Sequence, residues 1–376
     1  YALLAEKFYG KQPKFIAAVT GTNGKSSVVS FLRQIWCLNG YSAASLGTLG
    51  LESELTSVPL NLTTPDPVII HGHLARLAAD GVEHVAIEAS SHGLDQHRVD
   101  GVNVIMSGFT NFSRDHLDYH ESLENYLTAK SRLFGEVMAA GGVAVLNRDS
   151  CCFPTLMKIC RKRGHRVFQY GRRIQGGTSD SGNIHLLDVK ATPAGLRLTV
   201  GYAGRTIDFE VSLLGTFQAE NLLCAIGLAV AGGIPFDTVI ASMPRIVGVR
   251  GRMELVGKFQ SGARIFVDYA HTPDALRNAL QALRLHISGN LHLVFGCGGD
   301  RDRGKRMLMG RVAATLSHRT IVTDDNPRSE DAATIRADIL KDFRNAIEIS
   351  DRADAIIFGI SQLEDGDALL IAGKGH

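Results

Sequence analysis

The chain has 376 residues, 45% of them apolar and 21% charged, with a formal net charge of +2. That length suits two or three domains and that composition supports packed cores, which excludes a disordered or low-complexity protein. Near-neutral charge gives no electrostatic reason to expect nucleic acid or an anionic membrane as a partner, and no apolar run approaches the roughly 20 residues of a membrane span.

In chain order, residues 14–19 read as a buried strand that runs into Gly21-Thr22-Asn23-Gly24-Lys25-Ser26, and residues 26–38 as a helix. Helix 68–79, strands 84–89 and 102–109, helix 123–138 and strand 142–146 follow. Strands alternating with helices predict a mostly parallel sheet covered on both faces. After Gly176 the period changes to two. Leu196, Leu198 and Val200, then Ile207, Phe209 and Val211, alternate with polar residues, and Gly195 and Gly204 mark turns. That pattern predicts a small antiparallel insertion. Helical character returns at 219–231. Near Gly248 a second unit begins, with strands at 264–268, 291–296, 320–323 and 368–372 and helices at 274–285, 306–316 and 332–340. The expected architecture is α/β: a P-loop-type domain over residues 1–247, then a Rossmann-like domain over 248–376. The six cysteines form no CxxC pair and no small-domain disulfide framework, so they read as reduced thiols of a cytoplasmic protein.

Strand, glycine loop, Lys-Ser and helix come in the order that phosphate binding needs. Backbone N–H groups at a helix start face the anion, and the helix dipole adds to them. Lys25 would reach the outer phosphates and the Ser26 hydroxyl would ligate Mg²⁺. Val19 occupies the first glycine position of the strict pattern, so an ordinary capped turn is the competing reading. Lys130 falls on the apolar stripe of Leu123, Tyr126, Leu127, Leu133, Phe134 and Val137. Burial favours its neutral, nucleophilic amine, which can take up CO₂ as a carbamate; a snorkelling lysine with its head in water is the alternative. Glu88 ends an apolar strand, where ligands of open α/β sheets gather. Asp115, His116, Asp118 and His120 follow another strand, each a candidate ligand or a polar loop residue. Hard oxygen ligands beside a phosphate loop favour Mg²⁺ over zinc.

These segments, with Glu88-Ala89-Ser90-Ser91-His92-Gly93-Leu94, Asp268-Tyr269-Ala270-His271-Thr272-Pro273 and residues 296–305, resemble the Mur ligases of peptidoglycan synthesis over essentially the whole chain. The resemblance implies an ATP-dependent amide ligase that works through an acyl phosphate with two Mg²⁺ ions. It implies ATP contacts from Thr22, Asn23, Gly24, Lys25, Ser26, Asn221, Arg252, Asp268 and His271. Ser26 and Glu88 would serve one ion, and His116 with a carbamate on Lys130 the other. Lys25, Lys130 and His271 would be the catalytic groups. Thr63, Thr64, Ser90, Gln96 and Arg98 match positions that hold a UDP-MurNAc-dipeptide. Arg301, Asp325, Asn326, Arg328 and Gly373 match positions for the incoming amino acid. In Asp325-Asn326-Pro327-Arg328 the arginine suits meso-diaminopimelate, whose far carboxylate a guanidinium binds bidentately, whereas it repels the ammonium of lysine.

Gln218 stands where relatives commonly have Asn, and Met307 where proline is common. The resemblance also implies a further N-terminal domain for the uridine diphosphate and a C-terminal continuation. The expected partners are small molecules only, with no nucleic acid and no membrane span, and the expected state is a cytoplasmic monomer. The rival readings are a folylpolyglutamate-synthase-like ligase and a non-catalytic ATP-binding module of the same fold.

Overall fold

The computed structural model describes residues 1–172, 182–192, 195–343 and 345–375; Gly176 lies outside them. The expected strand at 14–19 is β1 (Phe15–Thr20), and it lies inside an eleven-stranded sheet, between the strands Val104–Phe109 and His84–Glu88. The others are β2 (Ala43–Gly47), β3 (Gly50–Ser53), β4 (Ser57–Val58), β5 (His84–Glu88), β6 (Val104–Phe109), β7 (Val143–Asn147), β8 (Arg166–Arg172), β9 (Ile184–Thr192), β10 (Gly195–Tyr202) and β11 (Arg205–Val211). Their order is β11-β10-β9-β8-β7-β6-β1-β5-β2-β3-β4. From β2 through β9 across the centre the pairing is parallel, and both ends finish antiparallel. The antiparallel strands thus continue the main sheet, because β8 pairs in parallel with β9.

Successive residues of β1 point to opposite faces. Ala17 and Val19 pack with the helices Lys25–Leu38 and Phe217–Ala231. Ile16 and Ala18 join the helices Pro67–Ala79 and Phe153–Lys162 on the other face. Val28, Phe31, Leu32, Ile35 and Trp36 of the first helix are essentially fully buried. Each contributes about 1.5–3 kcal/mol, so packing anchors this helix far more firmly than the ~1 kcal/mol of a terminal cap. The helix predicted at 123–138 is α-helical over Leu123–Arg132 and then widens into a π turn, Leu133–Val137.

A second sheet has six strands: β12 (Glu254–Lys258), β13 (Arg264–Asp268), β14 (Leu291–Phe295), β15 (Arg319–Val322), β16 (Ile347–Glu348) and β17 (Ala368–Ala372). The order is β12-β13-β17-β14-β15-β16, parallel except for the β12–β13 edge. Phe266, Leu293 and Leu370 face one core, and Ile265, Val294 and Leu369 the other. In both sheets a central strand has its sequence neighbours on opposite sides, and a crevice opens beyond the carboxyl ends there. The carboxyl ends of β1, β5 and β6 face those of β13, β14 and β17.

Candidate active site

The loop after β1 is laced to the segment after β6. Asn23 N–H donates to Asn111 Oδ1 (2.9 Å), Asn111 Nδ2 donates to Asn23 O (3.1 Å), and Thr110 Oγ1 donates to Asn23 O (2.6 Å). Gly21 and Gly24 have φ of 142° and 86°, so the chain turns where a side chain would be strained. A Cβ on Gly24 would stand 2.1 Å from Asn221 Oδ1, so this glycine also lets the helix Phe217–Ala231 approach. Asn221 is buried and donates to Gln218 Oε1 (2.9 Å), so the glutamine supplies its partner.

Two lysines meet at one oxygen. Lys25 Nζ donates to Gly21 O (3.0 Å) and Thr22 O (2.8 Å), and Lys130 Nζ donates to the same Gly21 O (2.8 Å). Lys130 is 1% exposed, with Nζ 4.3 Å from the centroid of Tyr126. Burial, reinforced by Lys25, pushes its pKa well below the ordinary lysine value. Lys25 keeps one edge open to the cleft but is enclosed elsewhere, and burial lowers it against the pull of Glu88 and Asp115. The snorkelling reading of Lys130 is thereby excluded, and a neutral amine is what carbamate formation needs.

Glu88, at the end of β5, is 2% exposed and accepts from Thr48 N (2.8 Å) and Thr48 Oγ1 (3.3 Å). Gly47 makes room for it: a Cβ there would stand 2.2 Å from Glu88 Oε1. Thr63 Oγ1 lies 2.9 Å from Thr48 Oγ1, Thr64 Oγ1 donates to Glu88 O (2.8 Å), and Ser90 N donates back to Thr64 Oγ1 (2.9 Å). Arg98 reaches Thr64 O (2.8 Å) and Gln96, which in turn donates to Tyr119 OH (3.1 Å). Thr63, Thr64, Ser90 and Arg98 line one cavity of about 320 Å³ with Thr22, Lys25, Ser26, Glu88, His92, His116 and Arg301. Gln96 reaches it only through Arg98.

His116 adopts φ 52°, and burial lowers its pKa to about 3, leaving a neutral imidazole. Asp115 lies between two histidines, 3.4 Å from His116 Nε2 and 3.6 Å from His271 Nε2. Burial would raise this carboxyl, but His271, His116 and Lys305 together hold it well below the usual range. The sequence reading left Asp115 as one of four loop candidates; the structure makes it the link between the two sheets' loops.

Other contacts cross the same gap. Arg252 Nη2 donates to Ser26 Oγ (2.9 Å) and its guanidinium lies 4.3 Å from the Tyr269 ring centroid. Arg114 grips Asp302 with two hydrogen bonds (3.0 and 3.2 Å), and Arg301 stands 3.6 Å from Asp118. Buried Asp268 accepts from Met253 N (2.8 Å) and Ala270 N (2.7 Å), which fixes the turn carrying Tyr269 and His271. A second cavity of about 450 Å³ is lined by Asn23, Gly24, Asn221, Arg252, Asp268, Tyr269 and His271 among others. The two cavities share Asn23, Gly24, Arg252, Tyr269 and His271, so they meet across the glycine loop.

Among the described residues no three His, Cys, Asp or Glu side chains form a ready cage for a metal. Mg²⁺ is commonly held by one or two protein groups together with phosphates and water. Ser26 Oγ, Glu88 and His116 line one cavity, and their donor types fit that mode. The buried Ser113 hydroxyl, which lines the 450 Å³ cavity, lacks a partner among the described residues, and a phosphate oxygen would give it one.

The amino-acid candidates form a separate cluster at the ends of β14, β15 and β17. Arg328 Nη1 donates to Gly299 O (2.7 Å), Asn326 N–H donates to Asp325 Oδ1 (2.8 Å), and Gly373 N donates to Asp268 O (3.1 Å). A Cβ on Gly373 would meet Asp325 Oδ2 at 3.3 Å. Of this set only Arg301 lines the 320 Å³ cavity.

Residues 19–229 match the model of the Mur ligase middle domain, and residues 251–375 that of the Mur ligase glutamate ligase domain. The chain belongs to the Mur ligase family. This Mur ligase is 50% identical over 375 residues to the UDP-N-acetylmuramoyl-L-alanyl-D-glutamate--2,6-diaminopimelate ligase of Bradyrhizobium diazoefficiens, spanning 100% of this chain and 76% of that one. It is 49% identical to the like-named protein of Caulobacter vibrioides, with 100% and 77% covered. Among solved structures, a UDP-N-acetylmuramoyl-L-alanyl-D-glutamate--2,6-diaminopimelate ligase matches at 34% identity and TM-score 0.69, over 100% of this chain and 76% of that one. A Mycobacterium tuberculosis folylpolyglutamate synthase matches at TM-score 0.78 but 17% identity, over 98% and 91%. That second likeness extends to the fold alone.

Proposed function

We propose that this Mur ligase couples ATP to amide-bond formation between the D-glutamyl carboxylate of UDP-MurNAc-L-Ala-D-Glu and an amine of meso-diaminopimelate. The observation that carries the reading is the meeting of two cavities across the glycine loop at Asn23 and Gly24, next to Lys25 and a buried Lys130 whose pKa is pushed well down. The larger cavity takes the nucleotide: Asn221 and Asp268 flank it, and Arg252 and His271 reach it from the second sheet. Thr22, Asn23, Gly24 and Lys25 bring the terminal phosphate to the boundary. The smaller cavity takes the acid, with Thr63, Thr64, Ser90 and Arg98 along its wall and Gln96 bracing Arg98.

The phosphoryl group passes to the carboxylate, the amine attacks the resulting acyl phosphate, and phosphate leaves as the amide forms. Lys25 accompanies the migrating charge, and His271, held against Asp115, faces it from the opposite side. Two Mg²⁺ ions would supply electrostatic stabilisation of that charge, held by Ser26 and Glu88 and by His116 with a carbamate on Lys130. Arg301, Asp325, Asn326, Arg328 and Gly373 bind the amino acid, and Arg328 selects its distal carboxylate. The loops facing one another across the gap are the two functional halves, residues 1–247 and 248–376. The whole acts as a monomeric cytoplasmic enzyme.

The test is phosphate release from ATP with the muramoyl-dipeptide nucleotide and a panel of amino acids. Turnover with meso-diaminopimelate and little with lysine is expected. Turnover with lysine alone removes the specificity reading, and turnover with a folate and glutamate would favour the folylpolyglutamate-synthase-like rival.

A further inference from the structure

Two loops of the second sheet carry the arginines assigned to the amino acid: 296–302, after β14, with Arg301, and 324–330, after β15, with Arg328. Each holds one residue in the left-handed region, Asp300 and Arg328, both at φ 50°. Such conformations persist only where the surroundings over-determine them. Here the two loops are stitched to one another. Gly299 N donates to Asn326 O (2.9 Å), and Arg328 Nη1 returns to Gly299 O (2.7 Å). Ser329 N and Oγ both donate to the Asp300 carboxylate (3.1 and 2.7 Å). Gly299 permits this closeness, since a Cβ there would stand 1.8 Å from Pro327 O.

Beneath the stitching lies a charge pair that the reaction does not use. Arg306 is 1% exposed, although arginine is almost never fully buried unless paired. It forks onto Glu330 with bonds of 2.7 and 3.1 Å and reaches Asp338 at 2.9 Å. Glu330 Oε1 also accepts from Asp300 N (2.7 Å). One carboxylate therefore ties the helix Gly304–Leu316, the Asp300 turn and the Arg328 loop together. A buried ion pair is weak evidence for stability but a credible device for fixing geometry.

We infer that Glu330, held by Arg306, is a positioning residue for the incoming amino acid, setting the spacing between Arg301 and Arg328. The inference rests on the amino-acid site proposed above. Glu330 touches neither cavity lining, so its loss acts on the affinity for the amino acid and leaves ATP handling in place.

The experiment is steady-state kinetics of the full-length protein carrying Glu330→Gln, with Ser329→Ala as a milder cut of the same network. Glu330→Gln is expected to raise the KM for meso-diaminopimelate roughly tenfold and Ser329→Ala about threefold, with kcat and the KM for ATP within about twofold of the parent. A general loosening of the domain would move both KM values together, so a parallel rise for ATP overturns the inference. An unchanged amino-acid KM in the variants also overturns it; Ser329→Ala, on the exposed side, decides alone if Glu330→Gln does not fold. Arg328→Ala run alongside separates the two failures. If it too leaves the amino-acid KM unchanged, the amino-acid site itself is wrong. If it raises that KM while Glu330→Gln does not, only the positioning role falls.

Discussion

Replacing Lys130 with alanine separates its chemical role from its structural one. The side chain is fully enclosed, and among the described residues its hydrogen bond goes to Gly21 O, to which Lys25 also donates. That carbonyl stays satisfied after the substitution. The stability loss then comes from missing methylenes and a cavity, which for a long side chain cut to alanine is about 2–5 kcal/mol. Releasing a buried amine from its desolvation offsets part of this. The variant should therefore fold, with a modest fall in Tm. Catalysis should fall much further: loss of a group that stabilises developing charge costs about 10²–10³ in kcat, or ~3–4 kcal/mol. The assay is phosphate release at saturating substrates, repeated with added acetate or propionate to supply a carboxylate in place of the carbamate. Partial recovery with the acids is expected, as is lower activity of the parent protein under CO₂-free conditions. Full activity of Lys130→Ala, or a loss that neither treatment touches, refutes the carbamate role.

Gly24→Ala should raise the KM for ATP by tenfold or more, because its φ of 86° and the 2.1 Å approach to Asn221 together cost about 1–3 kcal/mol; isothermal titration with ADP checks this. Arg328→Lys should weaken meso-diaminopimelate roughly 10–100-fold, the loss of a bidentate charged contact of about 1.5–3 kcal/mol. For Arg114→Asp, a wider average separation of the two halves by small-angle scattering and a lower kcat are expected, partly recovered by adding Asp302→Arg. His116 and His92 are pushed by burial to about 3 and about 4. The unfolded chain binds their protons first, near pH 6.5, so their contribution is complete above that pH and is lost as pH falls toward 4 and 3. Denaturant titrations should show stability dropping over that window, and less steeply in His92→Gln.

Where a segment is long and strongly periodic, the sequence stated the structure well. The phosphate-loop helix, β5, β13, β17 and the helix Ala332–Leu340 fall within a residue of expectation. The strand β3 and the edge strand β4 did not register, being short and rich in polar residues such as Glu52, Ser53 and Ser57. The break of a helix at Leu133 also left no trace, because a π turn keeps its apolar residues buried on nearly the same face. Of the site, Lys130 was legible because a charge on an apolar stripe is anomalous in one dimension. Asp115 was named only as one of four loop candidates, and the roles of Tyr269 and Glu330 were not read at all, since what distinguishes these residues is partners more than a hundred residues away or in a separate loop, and periodicity carries no record of those.

The place of β17 has a consequence for the order in which this protein comes into being. It lies between β13 and β14, so those two strands are made long before the neighbour they share. On the ribosome the eleven-stranded half can complete its core while the second sheet still has a gap at its centre. Non-local closure of this kind is slow and leaves edges exposed until it happens. Gly373 N–H, just past β17, then bonds to Asp268 O at the foot of the turn that carries His271. The phosphate loop can thus exist on a nascent chain before the opposing wall that carries His271 is in place.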